Sequence, residues 1–530
     1  MDLQRTIFRS FKSKGLALSA DASTALSSVL SREEDVSSSL NLIISSIQER
    51  VQKSDSRSTI IDLNTIQSVV ADLSSTDEDL DQEKIQLLDA YDLPKLCFDE
   101  RQKSFKVLPT PKYCMLGDAE SRANMYRERL LLTQQRLLRS DMFQMRGMGG
   151  GGSRGGLSVG GGEKAAVHEL STIESLLGST GQKVLFGMLT QPEEGAWFLE
   201  DLGATIRLDL SKAQAYPVFF TEGCHVIVQG FLENGLFRVG FMGMAPAEER
   251  EKSLGAMGVE GDLWGGIRPQ QMAQMREMEE AADGQMMVVL SDVQLDKPLV
   301  LEKLALVLEG FENNGSEPLY VLMGSFISKP ISRSPGGREV VEGAFDALAD
   351  VIARYPRQAS MAKFLLVPGP LDAGMGVALP RRGIPEQFTK RLRAKVASVT
   401  FASNPCRVRY YTQEIVLFRE DLLKKMQRHL AVPLDLSPTS PDITEQLVET
   451  LLDQAHLCPL PLHARPVFWE LDYSLRLFPL PHVLVLADHA DTFNHSYKGC
   501  RAVNPGSFSS DFSFLVYHPH SREVEYSRVP

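Results

Sequence analysis

The chain has 530 residues, 43% of them apolar and 23% charged, with a formal net charge of −12, the balance of a soluble protein with about three or four domains. That acidity argues against tight unaided binding to DNA, which needs a basic surface to release counterions, although local basic stripes can persist. Six scattered cysteines with no Cys-x-x-Cys pair give no disulfide framework and no structural zinc site, and no apolar run reaches the ~20 residues needed to cross a bilayer.

Residues 1–75 read as four short helices. Leu3, Ile7, Phe8 and Phe11 share one apolar face closed by Gly15, and Leu26, Val29 and Leu30 form a second behind Asp21 as a cap. Leu40, Ile43, Ile44, Ile47 and Val51 line a third, and Ile66, Val69, Val70 and Leu73 a fourth. Each stripe must be buried against the others, which predicts a small helical bundle. Its basic residues Arg5, Arg9, Lys12 and Lys14 form either a solvated face or a docking face. Residues 76–165 read as a linker that opens on the acidic tether SSTDEDLDQ (Ser74 to Gln82). A charged helix from Ser121 to Ser140 follows it. The insert RGMGGGGSRGGLSVGGG, Arg146 to Gly162, has no repeating period and is predicted to be disordered. It is not a phosphate-binding loop, since no Gly-Lys-Ser/Thr ends it.

Residues 166–283 hold five strand candidates in quick succession, KVLFGMLT, GAWFLED, ATIRLDL, CHVIVQGF and LFRVGFMG, between Lys183 and Met244. Alternating apolar residues and glycine-bearing turns predict a small antiparallel barrel. Trp197, Phe198, Phe231 and Phe237 are candidates for a base-stacking platform, but Glu193, Glu194, Glu200, Asp201 and Asp209 lie among them and core packing is the plainer role. A connector rich in Met and Glu follows, with a helix from Gln270 to Ala282.

Residues 284–530 begin with the continuous apolar run Met286 to Leu290, a strand buried on both faces that ends in Ser291-Asp292. Leu301, Leu304 and Leu308 mark a crossover helix, and Leu319 to Met323 is a second buried strand ending in Gly324-Ser325. Val341, Phe345, Leu348 and Ile352 mark another helix. Phe364 to Val367 then runs into Gly369-Pro370-Leu371-Asp372. The basic runs Pro380-Arg381-Arg382 and Lys390-Arg391 are short and interrupted, and neither makes a clear nuclear-import cluster. Further on, FREDLLKKMQRH (Phe418 to His429) reads as a charged helix with solvated charges, and Ile443, Leu447, Leu451 and His456 as one more. The strand Val483 to Leu486 ends in Ala487-Asp488-His489, and Phe512 to Tyr517 and Glu523 to Tyr526 close the chain. His456, His463, His482 and His489 read as structural residues rather than ligands.

In parallel sheets built from strand–helix–strand units, function collects at the strands' carboxyl ends. These ends resemble calcineurin-like metal-dependent phosphoesterases, which carry Asp-x-His, Gly-Asp-x-x-Asp, Gly-Asn-His-Asp/Glu and Gly-His-x-His there. Here Asp292 and Asp372 remain, but Gln294, Ser325, Ser328, Pro370 and Leu371 replace the other ligands, and Asp488 falls near the last motif. Two cations roughly 3.5–4 Å apart need carboxylates and imidazoles to neutralise their repulsion, and serine is a poor substitute. The sequence therefore predicts a degenerate site, with no catalytic residues, metal or cofactor.

Five segments narrow the resemblance: LSDVQLD (Leu290 to Asp296), VPGPLD (Val367 to Asp372), SNPCRVRYYTQEIVLFREDLL (Ser403 to Leu423), HLCPLPL (His456 to Leu462) and NPGSF (Asn504 to Phe508). In this order they resemble the B-subunit family of replicative DNA polymerases, in its epsilon branch, over roughly the last two thirds of the chain. The resemblance implies a multidomain α+β protein: an N-terminal helical bundle, an oligonucleotide/oligosaccharide-binding (OB) barrel, and an inactivated calcineurin-like phosphoesterase α/β domain. It implies a non-catalytic nuclear subunit that grips the zinc-bearing C-terminal region of the polymerase's catalytic subunit. It also implies contact with the GINS component of the helicase through residues 1–75, indirect association with small histone-fold subunits, and DNA met only as part of the complex, with no membrane. The alternatives are a live phosphoesterase or 3′–5′ exonuclease, or the same subunit of another replicative polymerase.

Overall fold

A computed structural model describes residues 84–108, 113–140, 169–258, 269–330, 336–374 and 377–530, with scattered positions among 7–66 and at 143, 263 and 264. They fall into two compact units, 1–84 and 85–530.

In the first unit the Ala20–Leu30 helix buries Ala22, Leu26 and Leu30, one residue per turn, in a cluster with Ile7, Phe11, Leu16, Leu40, Ile43, Ile44, Ile47, Ile61 and Ile66. Ser19 caps this helix: its hydroxyl accepts from Ala22 N at 3.2 Å. Asp21, expected as the cap, lies in the first turn instead. Phe8, expected inside, is 57% exposed. Ala17–Leu18 pairs in parallel with Ile60–Ile61, a contact too short for periodicity to announce. Leu3, Arg5, Arg9, Val51, Val69, Val70 and Leu73 lie outside the described residues.

The second unit corrects the expected linker. Ile85–Asp89 pairs antiparallel with Cys406–Tyr410, and Lys95–Asp99 forms a hairpin with Ser104–Leu108. IQLLD and KLCFD carry the β signal, but the acidic run before them and the glycine insert after them dominate the composition of the window. The Ala119–Arg139 helix is capped by Asp118, which accepts from Ser121 N at 2.8 Å. The insert 146–162 lies outside the described residues.

All five barrel candidates are strands: Lys183–Glu193, Ala196–Glu200, Thr205–Asp209, His225–Glu233 and Leu236–Gly243. The sheet closes on itself where Phe237 and Arg238 pair with Leu208 and Asp209, and this closing pair is parallel. Phe237 is buried in the barrel core, Trp197 packs partly against it, and Phe231 is 49% exposed. The expected connector helix is Pro269–Ala281, preceded by an unexpected one at Arg250–Met257.

The remainder contains two six-stranded sheets. The first runs Ser398–Phe401, Lys363–Val367, Leu319–Met323, Met287–Leu290, Ser513–His518 and Glu523–Arg528, parallel through its first four strands. The second runs Phe493–Tyr497, Cys500–Asn504, Val483–Ala487, Gln413–Arg419, Cys406–Tyr410 and Ile85–Asp89. The Pro298–Asn314 and Gly337–Ile352 helices bury their predicted apolar faces on the first sheet's core. Phe418 and Arg419 end a buried strand rather than start a helix, and the helix itself is Leu423–Arg428. The charges of Arg419 and Glu420, expected in solvent, are therefore interior. The Ile443–Asp453 helix stops three residues before His456.

Barrel and sheets are welded together. Gln454 exchanges two hydrogen bonds with the backbone of His225, at 2.7 and 2.8 Å, and Thr450 Oγ1 accepts from Phe219 N at 2.9 Å. Arg129 donates from Nε to both oxygens of Asp472 at 3.1 Å, with both residues buried. Burial opposes ionisation of Asp472, yet Arg129 and His456 hold its carboxyl well below the usual range.

Candidate functional site at the strand tips

The carboxyl ends of both sheets converge. Asp292, just past the Met287–Leu290 strand, takes a left-handed backbone conformation (φ 55°) and is buried. Arg419, the last residue of the Gln413–Arg419 strand, reaches it from the other sheet: Nη2 lies 2.6 Å and Nε 3.2 Å from Asp292 Oδ1. The same guanidinium donates to Gly324 O at 2.8 Å, Ala487 O at 3.0 Å and Asp421 Oδ1 at 2.7 Å. It thus ties together the tips of three strands and two acids. Burial works against its charge, but Asp292 and Asp421 raise its pKa above the ordinary arginine value. Asn404 steadies it from behind, accepting from Arg419 N at 3.1 Å and donating to Pro368 O at 2.8 Å and Arg419 O at 2.7 Å.

The other expected positions gather here, most of them turned to a backbone partner. Asp372 accepts from Phe326 N at 2.6 Å and from Gly369 N at 2.7 Å. Burial pushes its carboxyl up to about 7, against those hydrogen bonds and the charge of Arg419. Ser325 donates its N–H to Asp292 Oδ1 at 3.4 Å, and its hydroxyl accepts from Leu371 N at 3.3 Å. Pro370 lies between Gly369 and Leu371, lacking an N–H of its own. Gln294 donates its backbone N–H to Asp292 O at 2.8 Å, while its side-chain Oε1 is buried without a partner.

Ser328 stands further out and belongs to a different cluster: its backbone N–H lies 3.0 Å from both carboxylate oxygens of Asp296. Asp488 turns away from Asp292, its Oδ2 accepting from Leu422 N at 2.7 Å and Leu423 N at 2.9 Å at the start of the Leu423–Arg428 helix.

The histidines divide. His456 Nδ1 accepts from Cys458 N at 3.0 Å and His482 Nδ1 from Glu414 N at 2.9 Å, so both serve the fold. His489, 52% exposed, is the one that approaches the tips, with Nδ1 3.7 Å from Asp292 Oδ2. The phosphoesterase motifs imply a pair of cations, and these residues do not fit one. The carboxylates are engaged by N–H donors, a fixed positive charge already sits against Asp292, and among the described residues no cluster of three or more His, Cys, Asp or Glu could hold a metal ion. Sequence reasoning missed Arg419 because it stands in a run of alternating charges, FREDLLKK, that has the composition of a solvated helix. The apolar run EIVLF immediately before it was the available signal.

Close packing of glycines holds the tips together. A Cβ on Gly324 would stand 1.9 Å from Asp372 Oδ2 and 2.6 Å from Gly369 N. Gly324→Ala should therefore cost about 1–3 kcal/mol, measured by urea denaturation, whereas Gly343→Ala, whose Cβ meets nothing within 4 Å, should not destabilise. Equal effects would refute close approach as the reason for glycine at position 324.

The DNA polymerase alpha/epsilon B-subunit family matches residues 287–495, and the family described as "DNA polymerase epsilon subunit 2-like, OB-fold domain" matches residues 119–246. The second match includes the Ala119–Arg139 helix within the barrel domain. The DNA polymerase epsilon B-subunit of Arabidopsis thaliana is 34% identical over 99% of both chains. DNA polymerase epsilon subunit 2 of Homo sapiens is 34% identical over 99% of this chain and 98% of its own. The Saccharomyces cerevisiae B-subunit is 28% identical over 83% of this chain and 74% of its own. An archaeal phosphodiesterase of known structure covers 46% of this chain at 10% identity with a TM-score of 0.25, too slight a likeness to carry an argument. With similarity spread along its whole length, the chain belongs to the B-subunit family of DNA polymerase epsilon.

Proposed function

We propose that the chain is a non-catalytic accessory subunit of the DNA polymerase epsilon complex in nuclear DNA replication, and that its phosphoesterase-like site is structural. The observation that carries the second half is the guanidinium of Arg419 held 2.6 Å from Asp292, the one ligand retained from the first motif. A resident cation on that carboxylate repels a second, so the residues that remain serve to join strand tips rather than to activate water.

The work is then done by outer surfaces. A cleft of about 1140 Å³ runs between the Ala119–Arg139 helix, the barrel and the 461–469 segment, lined by Arg122, Tyr126, Asp201, His463 and Trp469 among others. It offers the catalytic subunit's C-terminal zinc region a seat that touches barrel and phosphoesterase-like domain together. Residues 1–75 hold the helicase through GINS, and the division of the chain into the units 1–84 and 85–530 supports a separate attachment. Holding two partners on one chain raises their effective local concentration without contact to bases. The small histone-fold subunits associate indirectly.

The full chain and a variant lacking residues 1–75 test this reading in pull-downs. The truncated protein is expected to retain the catalytic subunit and lose GINS; losing both together would refute the division of labour, and recovery of a different polymerase would refute the epsilon assignment. Near-stoichiometric manganese, zinc or iron in purified protein, with nuclease activity abolished by Asp292→Asn, would overturn the structural role of the site.

A further inference from the structure

Between the Leu423–Arg428 and Ile443–Asp453 helices the chain crosses from the sheets to the barrel and back. Leu430 forms a bridge with Thr221, Ala431 N donates to Phe220 O at 2.7 Å, and Ala431 and Val432 pack on the barrel core. Leu434 returns to the core beneath the second sheet. Val432, Pro433, Leu434 and Asp435 face Tyr216 and Val218 of the barrel domain across a notch of about 200 Å³. The segment is therefore a strap across two domains.

Its outer turn is LSPTSP, Leu436 to Pro441, which contains Ser-Pro twice in five residues. Ser437 is exposed, Ser440 is half-buried, and Leu436 beside them is 69% exposed. The proline ring biases the residue before it toward an extended backbone, the form in which a serine enters a kinase cleft, and the missing N–H after the serine is what proline-directed kinases read. Asp435 organises the turn. Its Oδ1 accepts from Ser437 N at 2.9 Å and its Oδ2 from the Ser440 hydroxyl at 2.8 Å. Gln446 Nε2 donates to Asp435 O at 3.2 Å and to Pro441 O at 2.9 Å, fastening the turn to the following helix.

We propose that Ser437 and Ser440 are acceptors for a proline-directed serine kinase, and that the phosphate on Ser440 releases the strap. In the transfer the serine Oγ bonds to the γ-phosphorus of ATP, the bond from that phosphorus to the β-phosphate bridging oxygen breaks to leave ADP, and the hydroxyl proton passes to the kinase's carboxylate base. The two serines respond differently. Ser437 is exposed and its hydroxyl lies 3.1 Å from Thr439 Oγ1 and faces Asp435, so a phosphate there adds charge beside that carboxylate but leaves the Ser440 donor in place. On Ser440 it removes the donor that Asp435 holds and sets about −1.5 to −2 charges against that carboxylate and against Asp442, the N-cap of the next helix. The turn then opens and frees Pro433 to Asp435 from the notch.

The test treats full-length protein with a purified cyclin-dependent kinase and magnesium ATP, then maps the phosphoryl groups by mass spectrometry and the backbone by hydrogen exchange. Phosphate on both serines is expected, lost separately in Ser437→Ala and Ser440→Ala and lost again in Pro438→Ala and Pro441→Ala. Exchange across 429–442 should rise several-fold when Ser440 carries phosphate in the Ser437→Ala protein, and by clearly less when Ser437 carries it in the Ser440→Ala protein, each compared with the same variant before phosphorylation. No phosphate on either serine while a control peptide is labelled would overturn the site. Phosphate on Ser440 with unchanged exchange would overturn the release.

Discussion

Arg419→Ala should destabilise the 85–530 unit by about 3–5 kcal/mol, because it leaves the carboxyl group of Asp292 buried without its partner. The loss includes more than one pair. Gly324 O and Ala487 O each lose a donor, and the two sheets lose the group that joins their tips. Restoring neutrality should recover part of it: Arg419→Met with Asp292→Asn removes both charges and keeps at 292 a residue that tolerates its left-handed backbone, so the double variant should be more stable than Arg419→Ala. Urea denaturation of the wild type, Arg419→Met alone, Asp292→Asn alone and the double variant closes the cycle and measures the coupling. A loss below about 1 kcal/mol for Arg419→Ala would mean that the pair is solvated and that the tips are held by packing alone.

Arg129→Ala should cost a comparable amount, nearer about 3 kcal/mol, since His456 Nε2 stays 3.1 Å and Arg476 Nη2 3.9 Å from the orphaned Asp472. Its pH dependence is the sharper readout. In the intact protein burial, and then the charge of Arg129, push His456 down to about 4, so the folded state binds fewer protons than the unfolded chain between pH 6.5 and 4 and stability falls as pH falls through that window. Without Arg129, His456 can take up the proton as the new partner of Asp472 and its folded pKa rises. The stability gap between the two proteins should therefore narrow from about pH 7 toward pH 4. A gap constant across that range would show that His456 does not sense Arg129.

Elements with their own periodicity were legible from sequence. The buried parallel-sheet runs and the five barrel strands need no partner to declare themselves, because each is apolar along one face or both. The place of the strand tips was legible too, since Gln294, Ser325 and Leu371 stand next to strands whose ends the pattern locates. Pairing across long sequence distance was not. Nothing in IQLLD names Cys406–Tyr410 as its neighbour, and nothing in FREDLL says that its arginine turns inward. Arg381 and Arg382 give the same lesson. In sequence they are a short basic run; in the fold they are a buried partner of Glu420 at 2.6 Å and a cation stacked 4.2 Å from the centre of the Tyr91 ring.

The Ile85–Asp89 strand has a mechanical meaning. It is the outermost strand of its sheet and begins immediately after the unit that ends at residue 84, so tension on the chain from that side enters the sheet at Ile85. Tension along the strand axis is shared as shear by all five residue pairs with Cys406–Tyr410, whereas tension across it peels them one at a time, beginning with Ile85 from Tyr410. The direction of pull thus sets how firmly anything attached ahead of residue 84 is moored.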